Sequence, residues 1–164
     1  ANHFKVYLVS ACDRTALRVL VDVVLPIEPE RIIGSDVWIR ASHQGDTNGV
    51  DYVYSPQDEL VRGTYQQETV AMNKVSEIVR EIGRQPVLAF GNSNGDASML
   101  NYTVNHNKYK NAAFVLLCDD TDREFGKLKK AQAMQKRAAD SGWISVSMKN
   151  DFRTIYGENV QKMQ

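Results

Sequence analysis

The stretch that most constrains this chain is an apolar run ending in a glycine-rich acidic turn: Pro86-Val87-Leu88-Ala89-Phe90, then Gly91-Asn92-Ser93-Asn94-Gly95-Asp96, then Ala97-Ser98-Met99-Leu100. It predicts a buried strand that delivers Asn92 and Asp96 to its carboxyl end. Small, turn-forming residues let the backbone reverse closely there, while an amide and a carboxylate supply the hard oxygen atoms that a magnesium ion accepts. Open α/β sheets bind their ligands beyond such strand ends.

The flanking sequence places this strand in a layered domain. Phe4 to Val9 is a β-prone run ending at Ser10-Ala11, and Arg14 to Leu25 follows at helical spacing until Pro26 stops it. Leu17, Leu20, Val21 and Val24 form the stripe expected to pack this helix on a sheet. Arg31 to Ala41 and Gly49 to Ser55 are β-prone and flank the polar segment Ser42 to Asn48, which predicts a projecting β-hairpin. Glu68 to Ile82 carries Val75, Ile78, Val79 and Ile82 on one helical face, with Gly83 placed to end it. Ala112 to Leu117 lacks alternation and fits a strand covered on both faces. Lys127 to Ser141 is a basic helix with Leu128, Ala131 and Met134 inward, and Trp143 to Met148 returns to strand alternation, with Trp143 expected in the core. This order predicts one α/β domain over residues 1–164 with a mainly parallel sheet.

Composition limits the partners. The chain has 164 residues, enough for one domain that buries about two-thirds of its unfolded surface. Its 20 basic residues cancel its 20 acidic ones, which leaves no global field to attract nucleic acid or an acidic membrane, so a small partner is expected. No run approaches the roughly 18 apolar residues of a membrane span, and the chain reads as soluble, with its compartment open. Cys12 and Cys118 lack metal-type spacing and read as buried thiols. His3, His43 and His106 are scattered over polar segments and form no metal motif, and the basic run from Lys127 to Arg137 lacks the interleaved aromatics of a nucleic-acid site.

Two further residues bear on chemistry. Ser10 follows its strand as Gly91 follows the other, so parallel strands would present Ser10, Asn92 and Asp96 along one rim. Lys74 would fall in the first turn of its helix, where the dipole disfavours a cation. A phosphate group would compensate that charge; the alternative is an exposed lysine on a frayed end.

Together, Val6-Tyr7-Leu8-Val9-Ser10-Ala11, Lys74 opening a helix, and Leu88 to Asp96 resemble the second, third and fourth motifs of haloacid dehalogenase-like hydrolases, near the phosphoserine-phosphatase-like branch. The segments Glu28 to Ser35 and Gly142 to Phe152 extend the resemblance along the chain. It implies a three-layer Rossmann-like core and a magnesium-dependent phosphatase in which an aspartate attacks a small phosphomonoester to give an aspartyl phosphate. By position, Ser10 would hydrogen-bond a phosphoryl oxygen and Lys74 would neutralise phosphate and nucleophile. Asn92 would ligate magnesium, and Asp96 would bind the ion through water or orient its shell.

Two departures accompany the resemblance. Asn92 stands where many relatives have aspartate, and its neutral oxygen binds magnesium more weakly. The first motif, an Asp-x-Asp pair on the central strand, lies upstream of the serine motif in the family, and only Ala1 to Val9 precede Ser10 here. The expectation is a core incomplete at its amino-terminal side, lacking the nucleophile, its strand and any cap inserted after it, with a separate amino-terminal fragment as partner. The alternative is a non-catalytic phosphate-binding or protein-interaction module on the same scaffold. Asp120-Thr121-Asp122 also spells Asp-x-Asp, but Arg123-Glu124 replaces the small or β-branched continuation, so helix capping is the expected role there.

Overall fold

Strands and helices alternate along most of this chain, and that alternation makes neighbouring strands parallel, because each helix returns the chain to the same end of the sheet. The computed structural model describes residues 3–158. The chain forms two compact units, Ala1–Asn73 and Lys74–Gln164, each with its own three-stranded sheet. The architecture is α/β.

In the first unit, β1 (Leu8–Asp13) leads into α1 (Arg14–Val24), and β2 (Ile32–Ala41) returns parallel to β1 before turning into the antiparallel β3 (Leu60–Gln67). Asp13 starts the helix: its Oδ1 accepts the N–H groups of Thr15 and Ala16 at 2.9 and 3.0 Å, and its other oxygen pairs with Arg62. Gly34 lets β2 pass close beneath this junction. A Cβ there would lie 2.6 Å from Arg14 Cα and 2.7 Å from the Cys12 carbonyl oxygen.

Four expectations need correction, three of them within this unit and one shared with Cys118 of the second. The first strand begins at Leu8 and runs through Ser10 to Asp13, with its register to β2 shifting between Val9 and Asp13, where Ser10 Oγ accepts the Cys12 N–H. Cys12 is exposed and Cys118 half-buried, and both are free thiols. Of the expected α1 stripe, Val21 is buried and Leu17 half-buried, whereas Leu20 and Val24 are 64% and 74% exposed beside Val19 and Val23. The helix therefore packs through a narrower face than its apolar residues offer. The hairpin is real, but its second arm is Leu60–Gln67, and Gly49 to Ser55 lies in the loop between the arms.

That loop is organised by one buried carboxylate. Asp58 Oδ1 accepts the backbone N–H of His43 at 3.0 Å and stands 3.1 Å from its Nδ1. Oδ2 accepts the Tyr52 hydroxyl at 2.9 Å and the Ser55 N–H at 2.7 Å, while the Tyr54 hydroxyl donates to the Asp58 carbonyl. With its polar groups satisfied around Asp58, the loop has no need of strand pairing.

The second unit opens in α2 (Met72–Glu77), which widens into a π-helical turn over Ile78–Ile82 and ends at Gly83, whose φ of 66° suits glycine. Val75 and Ile78 are buried, Ile82 is half-buried, and Val79 is exposed, because the wider turn rotates it off the expected face. The parallel strands β4 (Leu88–Gly91), β5 (Ala112–Leu117) and β6 (Ile144–Ser147) follow in that spatial order. Ala89, Ala113, Val115 and Leu117 are buried on the face where α3 (Ala97–Val104) and α4 (Leu128–Ser141) pack. The opposite face carries Phe90 stacked on Phe114 at 4.9 Å between ring centroids, with Leu88, Phe90 and Ile144 exposed. β5 is thus covered on one face where both were expected, and Leu128 is exposed where it was expected inward. Trp143 is buried as expected, its Nε1 donating to Asn101 Oδ1 at 3.1 Å.

Gly34→Ala is expected to lower the unfolding free energy by about 1–3 kcal/mol, since backbone must move to admit the methyl group. Denaturant unfolding of the two proteins measures this, and an unchanged midpoint would show that the junction has room.

Candidate functional site

The turn after β4 is built around Asp96. Gly91 ends the strand, and a Cβ at that position would lie 2.6 Å from Asp96 Cβ, so the absence of a side chain lets the turn fold back on itself. Asp96 Oδ2 accepts the backbone N–H groups of Asn92 and Ser93, both at 3.0 Å, and the Ser93 hydroxyl at 3.1 Å. Ser93 Oγ accepts the Gly95 N–H in return. This reciprocal capping starts a 3-10 turn over Asn94–Asp96 that runs directly into α3.

Lys74 supplies the remaining partner. Its Nζ lies 2.8 Å from Asp96 Oδ1, and the two side chains are 8% and 9% exposed. Burial pushes the Asp96 carboxyl up, and the Lys74 ammonium with the Asn92 and Ser93 N–H groups more than reverses this, leaving it below the ordinary aspartate value. The residue is therefore a carboxylate at neutral pH. Lys74 is the third residue of α2 rather than a frayed lysine, and the anion beside it is protein carboxylate.

Lys74, Asn92 and Asp96 are thus brought together, and Ser10 lies half-buried on β1 of the first unit. Asn92 gives its backbone N–H to Asp96 and keeps its side chain exposed beyond the sheet's carboxyl end. As a donor set for magnesium the turn divides its labour. Asn92 offers an accessible amide oxygen, which fits direct ligation. Asp96 already accepts from an ammonium and three further donors, which fits a role through water or through holding the turn rather than direct contact.

The rim beyond β5 and β6 carries carboxylates with other duties. Asp119 Oδ2 accepts the Ser147 hydroxyl at 2.6 Å and its Oδ1 the Lys149 N–H at 3.1 Å. Asp120 is 1% exposed, and its oxygens accept the N–H groups of Asp122 and Arg123 and the Arg123 Nε at 2.6 Å. Arg123 directs its other N–H groups to the carbonyls of Met148, Lys149, Phe152 and Arg153. Asp120 anchors a turn, not the helix cap expected of it, because α4 starts only at Leu128. Sequence reasoning missed Arg123, Asp119 and Asp58; their partners lie up to 30 residues away, and local spacing carries no signal for them.

No family model matches the chain, and no curated protein matches its sequence.

Lys74→Met should lower stability by about 3–5 kcal/mol, because it strands a buried carboxylate. Lys74→Met combined with Asp96→Asn should cost less than the sum of the single changes, which denaturant unfolding of the four proteins measures; additive costs would show that the two groups are uncoupled. The same pair sets a pH dependence. The Asp96 value is lowered on folding, so its contribution is present above the unfolded value of about 3.9 and is lost as pH falls through the folded value. Stability measured below about pH 4 should therefore decline less steeply in Asp96→Asn than in the parent.

Proposed function

We propose that this chain belongs to a magnesium-dependent phosphomonoester hydrolase, similar to the phosphoserine-phosphatase-like branch of the haloacid dehalogenase-like hydrolases, with a Rossmann-like core. The observation that carries this reading is a buried lysine ammonium held 2.8 Å from a carboxylate in the turn beyond a parallel strand, next to an exposed amide oxygen. Phosphoryl transfer needs fixed positive charge and positioning more than covalent machinery, and this turn supplies both. Lys74, paired with Asp96, would neutralise phosphate and nucleophile. By the resemblance, Ser10 would hydrogen-bond a phosphoryl oxygen. Asn92 would hold magnesium directly and Asp96 through water. When bound, magnesium supplies charge that stabilises the transferring group.

The nucleophilic aspartate of the proposal comes from an amino-terminal segment outside these residues, through an aspartyl phosphate. Two features of the second sheet support an added segment. Among the described residues β4 is an end strand of that sheet, and it exposes Phe90 (68%) and Leu88 (39%), although parallel sheets are ordinarily covered on both faces. In the first unit, α1 exposes Val19, Leu20, Val23 and Val24. A segment supplying a strand and apolar side chains would satisfy these groups.

A second reading, a non-catalytic phosphate-binding or protein-interaction module, draws on the same turn: Asp96 is already engaged by Lys74, and the exposed ligand, Asn92, is neutral.

Denaturing mass analysis of the protein purified from its source should find an accompanying amino-terminal segment or a longer chain. That preparation is expected to hydrolyse p-nitrophenyl phosphate with magnesium and to stop with chelator. Lys74→Ala should lower kcat by about 10²–10³-fold, the scale for removing one charge-stabilising group. Phosphate binding without turnover would favour the second reading, and turnover unaffected by Lys74→Ala would overturn the assignment of the site.

A further inference from the structure

The turn that carries Asn92 is held from two sides. Asp96 anchors its carboxyl end to Lys74. At its middle, Asn94 Oδ1 accepts a hydrogen bond from Arg137 Nη1 at 2.9 Å, a contact spanning 43 residues of sequence. Arg137 is itself guided. Its guanidinium lies 5.8 Å from the centroid of the Trp143 ring, and that ring is buried and fixed by its bond to Asn101 of α3. Arginine stacks on an indole and still keeps N–H groups for a bond in the plane of its fork, which lysine cannot do equally well.

We infer that Arg137 is a positioning residue for the Asn92 turn: through Asn94 and the Trp143 platform it limits how far the turn can open and so sets where the Asn92 side chain points. The functional half of this inference rests on the magnesium reading above; the mechanical half does not. A long, exposed arginine is an ordinary surface residue unless something orders it, and here a buried indole does so. The connection joins α4 and the start of β6 to the turn after β4, so the turn is tied across the sheet as well as to α2.

The test uses the full chain and two readouts. The first is amide hydrogen exchange at Asn92 and Ser93, whose N–H groups are bonded to Asp96, with Val115 of β5 as the core reference. Arg137→Ala should speed exchange at the turn by about 3- to 10-fold, the range expected when one net hydrogen bond is lost, and leave Val115 unchanged. Lys136→Ala, which breaks only the exposed pair with Asp140, should alter neither. The second readout is the magnesium-dependent shift of the Asn92 side-chain amide resonance, whose midpoint should rise by about 3- to 10-fold in Arg137→Ala.

Unchanged exchange at the turn, or equal acceleration at Val115, would overturn the positioning role. So would faster exchange with an unaltered magnesium midpoint, which describes an arginine that steadies the backbone without directing Asn92. Absence of any magnesium-dependent shift in the parent chain would instead sink the magnesium reading, and the exchange result would still judge Arg137.

Discussion

The geometry of the second unit depends on removing one lysine and one aspartate from water together. Burial of either charge alone costs several kcal/mol, and mutual attraction offsets that only when the remaining lone pairs and protons find partners. Asp96 meets this demand with four donors: the ammonium, two backbone N–H groups and a hydroxyl. The demand propagates outward. Gly91 must lack a side chain to let the carboxylate approach, Ser93 must cap the turn, and α2 must start early enough to bring Lys74 to its third position.

Apolar surface is distributed unevenly around this centre. On one face of the second sheet, alanines and short aliphatics disappear beneath α3 and α4; on the other, Phe90 stacks on Phe114 while Leu88 and Ile144 stay exposed. The outer side of α1 repeats the pattern, since its exposed Val19, Leu20, Val23 and Val24 form an apolar face of the kind that is ordinarily buried. Isolated exposed valines need no explanation, but a stacked aromatic pair on an open parallel sheet and an uncovered aliphatic helix face point the same way.

Local chemistry made part of this structure legible. The apolar run before Gly91 and the small residues after it mark strand, turn and helix start, because each residue type acts within a few positions of its neighbours. The α4 boundaries and the glycine that ends that helix, Gly142, were readable for the same reason. The second hairpin arm was not. Gly49 to Ser55 has β-prone residues, but Asp58 draws the His43, Tyr52 and Ser55 polar groups inward and converts that stretch to a loop. Helical periodicity similarly placed Leu20 and Val24 on the face against the sheet, because an apolar arc wider than the buried face gives more than one equally regular stripe. At the site, spacing flagged Lys74 as a cation in need of an anion; that the anion is Asp96, 22 residues on, is a fact of tertiary structure.

Asp58 and Asp96 show why a perturbed carboxylate is weak testimony by itself. Both are buried and both titrate below the ordinary aspartate value. The Ser55 and His43 N–H groups and the Tyr52 hydroxyl hold Asp58 down, and all of them belong to one loop. Such an arrangement serves to fold a segment. For Asp96 desolvation is the foremost influence and is answered by an ammonium from a separate helix, beside an amide oxygen open to solvent at the end of a parallel strand. The two lowered values agree in direction and differ in cause. It is the cause, a cation fixed at the mouth of a turn, that separates a candidate site from a well-made loop.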